Sequence, residues 1–422
     1  MAMNLTPARQ FDDNLFLWPK CHGIFNTPAL HSGMDTKPLY SEQEKIAGWR
    51  PERCGRIALV LQGGGALGAY QAGVYQAMHE SGIEPDWVSG VSIGAVNAAI
   101  IAGNKREKRL ENLTTFWSRI TDRTVWLHTP DGDIFRQMRN ATSALYTTML
   151  GQPGFFVPNK INPWLSPAGA KTATSYYDNS PLRETLLELV DFDLLNSKSC
   201  RFSVGAVNVA TGNFIFFDNA KHEITPEHVM ASGALPPAFP PVKIGSDYFW
   251  DGGIVSNTPL QHLLAQDDDL NSLVFQVDLF SASGALPRTI QDVMSREKDI
   301  AYSSRTRQVT DLFQRLQRWK TRAYRALLKV PEADLTDEER KMRDKLARLP
   351  AHTILQLIYQ QKAYEGNAKD YEFSRTSMRE HWQSGHEDTK RTLTHCHWLE
   401  MPPENTGIVT HDIHRDREEA VW

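Results

Sequence analysis

The first 55 residues offer no regular hydropathy pattern, because Pro7, Pro19, Pro28, Pro38 and Pro51 interrupt every candidate helix. Order then begins abruptly. Residues 57–61 (Ile-Ala-Leu-Val-Leu) form an unbroken apolar run that predicts a buried strand. Gly63, Gly64 and Gly65 follow, and a helical spacing through Tyr70, Val74 and Met78 starts behind them. Trp87-Val88-Ser89 predicts a second, shorter strand ending at Gly90, and the small residues of 95–102 predict a helix. Strand, glycine turn and helix in immediate repetition are the grammar of a parallel α/β sheet. Further on, 201–209 and 213–217 alternate around Thr211-Gly212 and predict a hairpin, and 272–280 predicts another buried strand.

Between Thr124 and Pro181 the pattern loosens. Residues 151–158 and 163–167 are turn-rich and aromatic, which suits a lid or an acyl-chain wall as well as a packed surface loop. The last third is charge-dense and helical in pattern. Thr336-Asp-Glu-Glu339 fits a capping box ahead of Met342, Leu346 and Leu349, and Ser374 can cap a helix running through Trp382. The expected organisation is therefore an extension (1–55), an α/β domain (56–285) and a mostly helical C-terminal appendage (286–422).

Composition narrows the classes. The formal charge is 46 − 50 = −4, which argues against a nucleic-acid binder relying on bulk electrostatics. The 41% hydrophobic content is that of a globular chain. Cys21, Cys54, Cys200 and Cys396 are scattered with no CxxC pair, so neither a disulfide scaffold nor a zinc module is indicated, and a cytoplasmic setting is expected. The start carries Asp12, Asp13 and Asn14 where a secretory core would be apolar, and no apolar run approaches the roughly 20 residues of a membrane span.

Three short segments can do chemistry. Gly90-Val-Ser92-Ile-Gly94 matches the G-x-S-x-G nucleophile elbow, in which a strained strand-to-helix turn projects the serine hydroxyl and small flanking residues avoid clashes. Gln62-Gly-Gly-Gly-Ala-Leu-Gly68 lies on the turn after the first strand, where backbone N–H groups and a helix N-terminus can receive an anion. The same glycines spell a dinucleotide fingerprint, but that reading needs an acidic residue ending a strand about 20 positions on, and Asp86 precedes its strand. Trp250-Asp251-Gly252-Gly253 supplies a carboxylate beside glycines that permit close backbone approach. Alone it reads as an ordinary Asx or glycine turn. His262 reads as a helix-surface residue, and His395-Cys396-His397 lacks a ligand-spaced partner.

In this order, glycine loop, serine elbow and Asp-Gly-Gly, the chain resembles the patatin-like phospholipase family over residues 56–285. The proline-rich block 231–241, Asn257 and Pro259 add to the likeness, and the tail resembles the helical C-terminal domain of a bacterial subgroup. Gln62 departs from it, standing where plant members have an acidic residue. The resemblance implies a three-layer α/β core with a central, mainly parallel sheet and a Ser–Asp dyad without histidine. Ser92 would be the nucleophile and Asp251 the base. Gly63, Gly64 and Gly65 would donate to the oxyanion with help from the Ile93 N–H, and Gly68, Gly90, Gly94, Gly252 and Gly253 would support the turns. It implies no metal, no cofactor, and a lipid carboxylic ester as substrate. Other esters (a storage polyester, a short-chain ester) and a non-catalytic binding protein of the same fold remain open. An exposed aspartate, with a pKa of about 4, is a poor base at neutral pH, so burial or a direct bond to the serine has to compensate.

Residues 305–330 place Val309, Leu312, Phe313, Leu316, Trp319, Ala323 and Leu327 on one face against many Arg and Lys and one acid, Asp311. Such a helix either makes peripheral contact with an anionic membrane or docks by its apolar face on its own domain.

Overall fold

The computed structural model describes residues 49–121, 132–266, 268–362, 364–403 and 407–414. Residues 1–48 of the expected extension, and 122–131 of the loosened stretch, lie outside the described residues. The apolar run forms β1 (Arg56–Leu61), buried at every position. A short turn leads into α1 (Ala69–Glu80). β2 (Trp87–Gly90) is followed by α2 (Ile93–Ala102), whose small and apolar residues are all buried, and by α3 (Arg106–Ile120).

α4 (Asp133–Leu150) crosses the stretch where the sequence pattern loosens. Asn140, Thr142, Ser143, Thr147 and Thr148 are weak helix formers, which hides this helix from propensity. A small antiparallel ribbon, β3 (Val157–Pro158) with β4 (Tyr177–Asp178), precedes α5 (Ser180–Leu189) and α6 (Phe192–Asn196). The expected hairpin is β5 (Arg201–Asn208) and β6 (Phe214–Asp218), paired antiparallel. Then come α7 (Pro226–Ser232), β7 (Val242–Ile244), β8 (Asp247–Asp251), α8 (Leu260–Leu264) and β9 (Ser272–Asp278).

The C-terminal third supplies α9 (Ile290–Tyr302), α10 (Thr306–Leu327), α11 (Asp337–Leu346), β10 (His352–Ile358), α12 (Arg375–Leu393) and β11 (Ile408–Asp412). Thr336 and Glu339 form the expected reciprocal cap on α11, and Ser374 caps α12, which continues past Trp382. The two strands were not expected. His352–Ile358 is short and carries Thr353 and Gln356 between its apolar residues, which conceals a buried strand in a helix-rich region.

All the strands but β3 and β4 make one sheet of order β11-β10-β9-β1-β2-β5-β8-β7, with β6 also on β5. The pairings from β11 to β5 are parallel, and those made by β6, β7 and β8 are antiparallel. Alternate residues of β1 enter different cores. Ile57, Leu59 and Leu61 pack with α1, α2, α3 and Leu393 of α12, whereas Ala58 and Val60 pack with α8 and with Val309 and Phe313 of α10. The result is three layers. α1 and α12 touch almost backbone to backbone, because a Cβ on Gly73 would collide with the Trp382 carbonyl and one on Gly385 with that of Tyr70.

The apolar face of α10 divides. Val309 and Phe313 dock, while Leu312, Leu316 and Trp319 are exposed, with the Arg322 guanidinium 5.4 Å from the Trp319 ring. Among the described residues no helix is long and apolar enough to cross a membrane.

Candidate active site

Ser92 sits between β2 and α2 with φ 56° and ψ −126°, a conformation that costs a non-glycine residue on the order of 1–3 kcal/mol. Its surroundings enforce it. The Ser92 N–H donates to the carbonyl (3.0 Å) and the Oγ (3.1 Å) of Ser232, whose hydroxyl donates to the Gly205 carbonyl at 2.6 Å. The elbow glycines are needed for space: a Cβ on Gly90 would strike the Gly94 carbonyl, and one on Gly94 the carbonyl of Leu61.

Asp251 ends β8, opposite Ala206 of β5, and is 1% exposed. Its carboxylate accepts the Gly253 N–H at 2.7 Å, and it lines the same cavity as Ser92. Burial pushes its pKa up to about 7, with the Gly253 N–H and the nearby Ser92 hydroxyl pulling the other way. This answers the basicity problem posed by the sequence, since a base titrating near neutrality is matched to neutral pH.

The glycine loop is fixed from two sides. Gln62 is fully buried and uses its whole amide: Oε1 accepts from the N–H groups of Leu279 (2.5 Å) and Phe280 (3.0 Å), and Nε2 donates to Thr258 Oγ1 and the Tyr302 carbonyl, both at 2.9 Å. Asn257 Nδ2 donates to the Gly63 carbonyl (3.0 Å) and to the same Tyr302 carbonyl (3.1 Å). The Gly63 N–H is itself given to the Asn257 carbonyl at 3.3 Å. Gly65 has φ +54°, and a Cβ there would run into the Asp370 carbonyl, which accepts the Ala66 N–H at 2.9 Å.

One apolar cavity of about 120 Å³ collects these groups: Gly63, Gly64, Gly65, Ser92, Ile93, Asp251 and Gly253 all line it. Gly68 and Gly252 act from behind, where a Cβ would press on Ile93 and on the Gly205 carbonyl respectively. The aromatic insertion contributes Phe155, Phe156 and Tyr177, packed edge-on with Phe239 behind Phe156 at 5.3 Å. The C-terminal third contributes Tyr302, Asp370, Tyr371 and Phe373. Sequence reasoning missed these four because no motif ties them to the serine and only the folded sheet brings them there; Ser232 lay within the block 231–241, but its bond to the Ser92 N–H was not foreseen.

Among the described residues no histidine lines the cavity. His262 lies elsewhere, 3.2 Å from Asp218 and stacked on Phe216. His395 stacks on Trp398, and no described group of three or more His, Cys, Asp and Glu could hold a metal ion. Asp86 binds Arg50 and the Ile57 N–H at the start of β1, the end away from the glycine loop, so it cannot serve a dinucleotide there.

A strained serine, a buried aspartate and a glycine loop lining one cavity, on a mainly parallel sheet, form an arrangement that can support acyl transfer. Residues 59–264 match the family model described as patatin-like phospholipase, and residues 300–405 match another described as patatin phospholipase. The chain belongs to the patatin-like phospholipase family. It is 54% identical over 69 residues to lysophospholipase nte1 of Aspergillus terreus (15% of this chain, 4% of that one). It is 26% identical over 265 residues to lysophospholipase nte1 of Aspergillus niger (61% and 14%). Over 81 residues it is 36% identical to the neuropathy target esterase sws of Drosophila melanogaster (19% and 6%). The chain thus spans a small fraction of the length of these relatives. Among solved structures, VipD from Legionella pneumophila aligns at 17% identity and a TM-score of 0.35, covering 81% of this chain and 67% of that one.

Proposed function

We propose that the chain is a serine acyl hydrolase that cleaves carboxylic esters of lipids through a Ser92–Asp251 dyad. The observation that carries this reading is that Ser92, held at φ 56°, and the buried carboxylate of Asp251 line one cavity together with the glycine loop. Ser92 Oγ attacks the ester carbonyl as its proton passes to Asp251. Negative charge on the carbonyl oxygen is met by the N–H groups of Gly64 and Gly65 and by that of Ile93, the first residue of α2, whose N–H has no partner within the helix. Gly63 was expected to donate as well; its N–H is engaged by Asn257, so its part is to hold the loop. Collapse of the tetrahedral intermediate expels the alcohol, which takes the proton from Asp251. Water, deprotonated by Asp251, then attacks the acyl-enzyme and releases the acid with Ser92 restored.

The cavity wall is aromatic and apolar, which suits an acyl chain. Its volume of about 120 Å³ is below the ~300–1,000 Å³ of pockets that enclose a drug-sized ligand, so only part of a lipid fits inside. The same small volume favours a second reading, a short-chain ester as the natural substrate. A panel of esters varying acyl length and headgroup, with Ser92→Ala as the blank, decides between them. A fluorophosphonate probe should label the wild-type chain and spare Ser92→Ala; equal labelling of both removes Ser92 as nucleophile.

A further inference from the structure

The mouth of the Ser92 cavity is set in exposed apolar surface, and that surface consists of chain neighbours of the cavity lining. On α4, Thr147 and Thr148 line the cavity while Leu145, Met149 and Leu150 are exposed, Met149 by 63%. Gly253 lines it, and Ile254 and Val255 beside it are exposed. Tyr177 lines it and donates its hydroxyl to the Thr148 carbonyl at 2.8 Å, tying the ribbon to α4. The adjacent Tyr176 accepts the Trp164 indole N–H at 3.2 Å, and Trp164 and Leu165 are 83% and 81% exposed.

α4 turns Asn140, Ala144 and Thr147 inward, so its outward face, where polar residues belong on a solvated helix, is apolar. From Asn140 to Asn159 the chain carries no Asp, Glu, Lys or Arg, and exposed Lys160 and Lys171 flank the Trp164 segment. Exposed apolar residues placed beside the lining of a cavity in this way mark an interaction site. Three features select a lipid bilayer as its occupant. Its residues are chain neighbours of the lining of an apolar cavity that admits only part of a lipid. Its flanking lysines complement anionic headgroups. Trp164 and Tyr176 combine apolar rings with polar tips, as suits the headgroup level.

The basic helix faces another way. α10 starts beside Gln276 near the C-terminal end of β9, Gln314 donates to the Ile408 carbonyl at the start of β11, and Gln317 to the Pro350 carbonyl just before β10. Arg318, Arg322 and Arg325 thus lie toward the N-terminal ends of the strands, whereas Ser92 follows the C-terminal end of β2. A bilayer held there would be at the wrong end of the sheet. We propose that a lipid bilayer docks on the α4 and Trp164 face, with Met149, Trp164, Leu165, Ile254 and Val255 entering the headgroup boundary, so that substrate passes from the bilayer into the cavity. This inference rests on the lipid-ester reading above.

The test uses the full chain carrying Ser92→Ala, so that vesicles stay intact, sedimented with vesicles of phosphatidylcholine containing phosphatidylserine. Adding Met149→Ser, Trp164→Ser and Leu165→Ser should weaken binding about tenfold or more, since each loses an apolar contact. Reversing Arg318, Arg322 and Arg325 to Glu should leave binding within about twofold, against a loss of about a hundredfold or more were α10 the contact. With Ser92 intact, the triple serine variant should hydrolyse a water-soluble monomeric ester at the wild-type rate and lose activity on vesicles. Wild-type binding by the triple variant, binding lost on charge reversal instead, or no wild-type binding at all each overturns the docking face. A dimer in solution that the triple variant dissociates, without vesicle binding, assigns the face to a second copy and also overturns it. Failure of the wild-type chain on every soluble ester counts instead against the hydrolase reading.

Discussion

The Asp370 carbonyl accepts the Ala66 N–H at 2.9 Å, so a residue in the C-terminal third is fastened directly behind the glycine loop. The same carbonyl occupies the space a Gly65 side chain would need. Gly65→Ala should therefore both strain a residue at φ +54° and push the loop off Asp370. With one oxyanion donor displaced, kcat should fall about 10²–10³-fold. Steady-state assays on a soluble ester, with circular dichroism to check folding, read this out; unchanged kcat would remove Gly65 from the oxyanion site.

Asp251 gives a pH signature. As the base it works when ionised, so kcat/KM should rise with pH through about 7 and then level off. Asp251→Asn should abolish that limb and cost about 10²–10⁴ in rate. Stability should move oppositely. A carboxyl whose folded pKa lies above its unfolded value binds more protons when folded, so stability falls as pH rises from about 4 toward 7. The melting temperature of Asp251→Asn should accordingly exceed that of wild type above pH 7. A lower value there would mean the buried charge is better compensated than its surroundings indicate.

Gln62 should not tolerate its acidic counterpart. Its Nε2 donates to Thr258 and Tyr302, and a glutamate would set a lone pair against the Tyr302 carbonyl. Gln62→Glu should lose about 1–3 kcal/mol, the cost of leaving buried polar groups unpaired. Urea denaturation measures this, and a loss under about 0.5 kcal/mol would show that the Tyr302 carbonyl finds another donor.

Phe156 forms part of the cavity wall against Tyr177 and Phe239. Phe156→Ala should enlarge the cavity, shift the preferred ester toward longer acyl chains, and destabilise the fold by about 3–5 kcal/mol. An acyl-length series on wild type and variant checks it; an unshifted optimum places the acyl group on another wall.

Much of this was legible in the sequence where a constraint is local. An apolar run closed by Gly63–Gly65 predicts β1 and its loop, and Gly90 and Gly94 around Ser92 predict the elbow, because both turns need residues without a Cβ. Asp251 was legible as a position, and as a candidate base only through the family resemblance; its burial was not, since that depends on strands β5 and β8 meeting. Tyr302, Asp370, Tyr371 and Phe373 carry no local signal: the last three follow β10, which pairs with β9, and Tyr302 is held through its carbonyl by Gln62 and Asn257. α4 was hidden because its polarity is inverted: Asn140 and Thr147 are buried while Met138, Leu145 and Met149 are exposed, and its several Asn, Ser and Thr residues are weak helix formers.

The position of β9 limits how this chain can be divided. All seven residues of β9 are buried, and the strand is flanked by β1 on one side and β10 on the other. Ending the chain near residue 285, where composition suggests a boundary, would leave an apolar parallel strand with an open row of backbone donors and acceptors. Such an edge is a template for pairing with other chains, so the shortened protein would be prone to aggregate even with Ser92, Asp251 and the glycine loop in place.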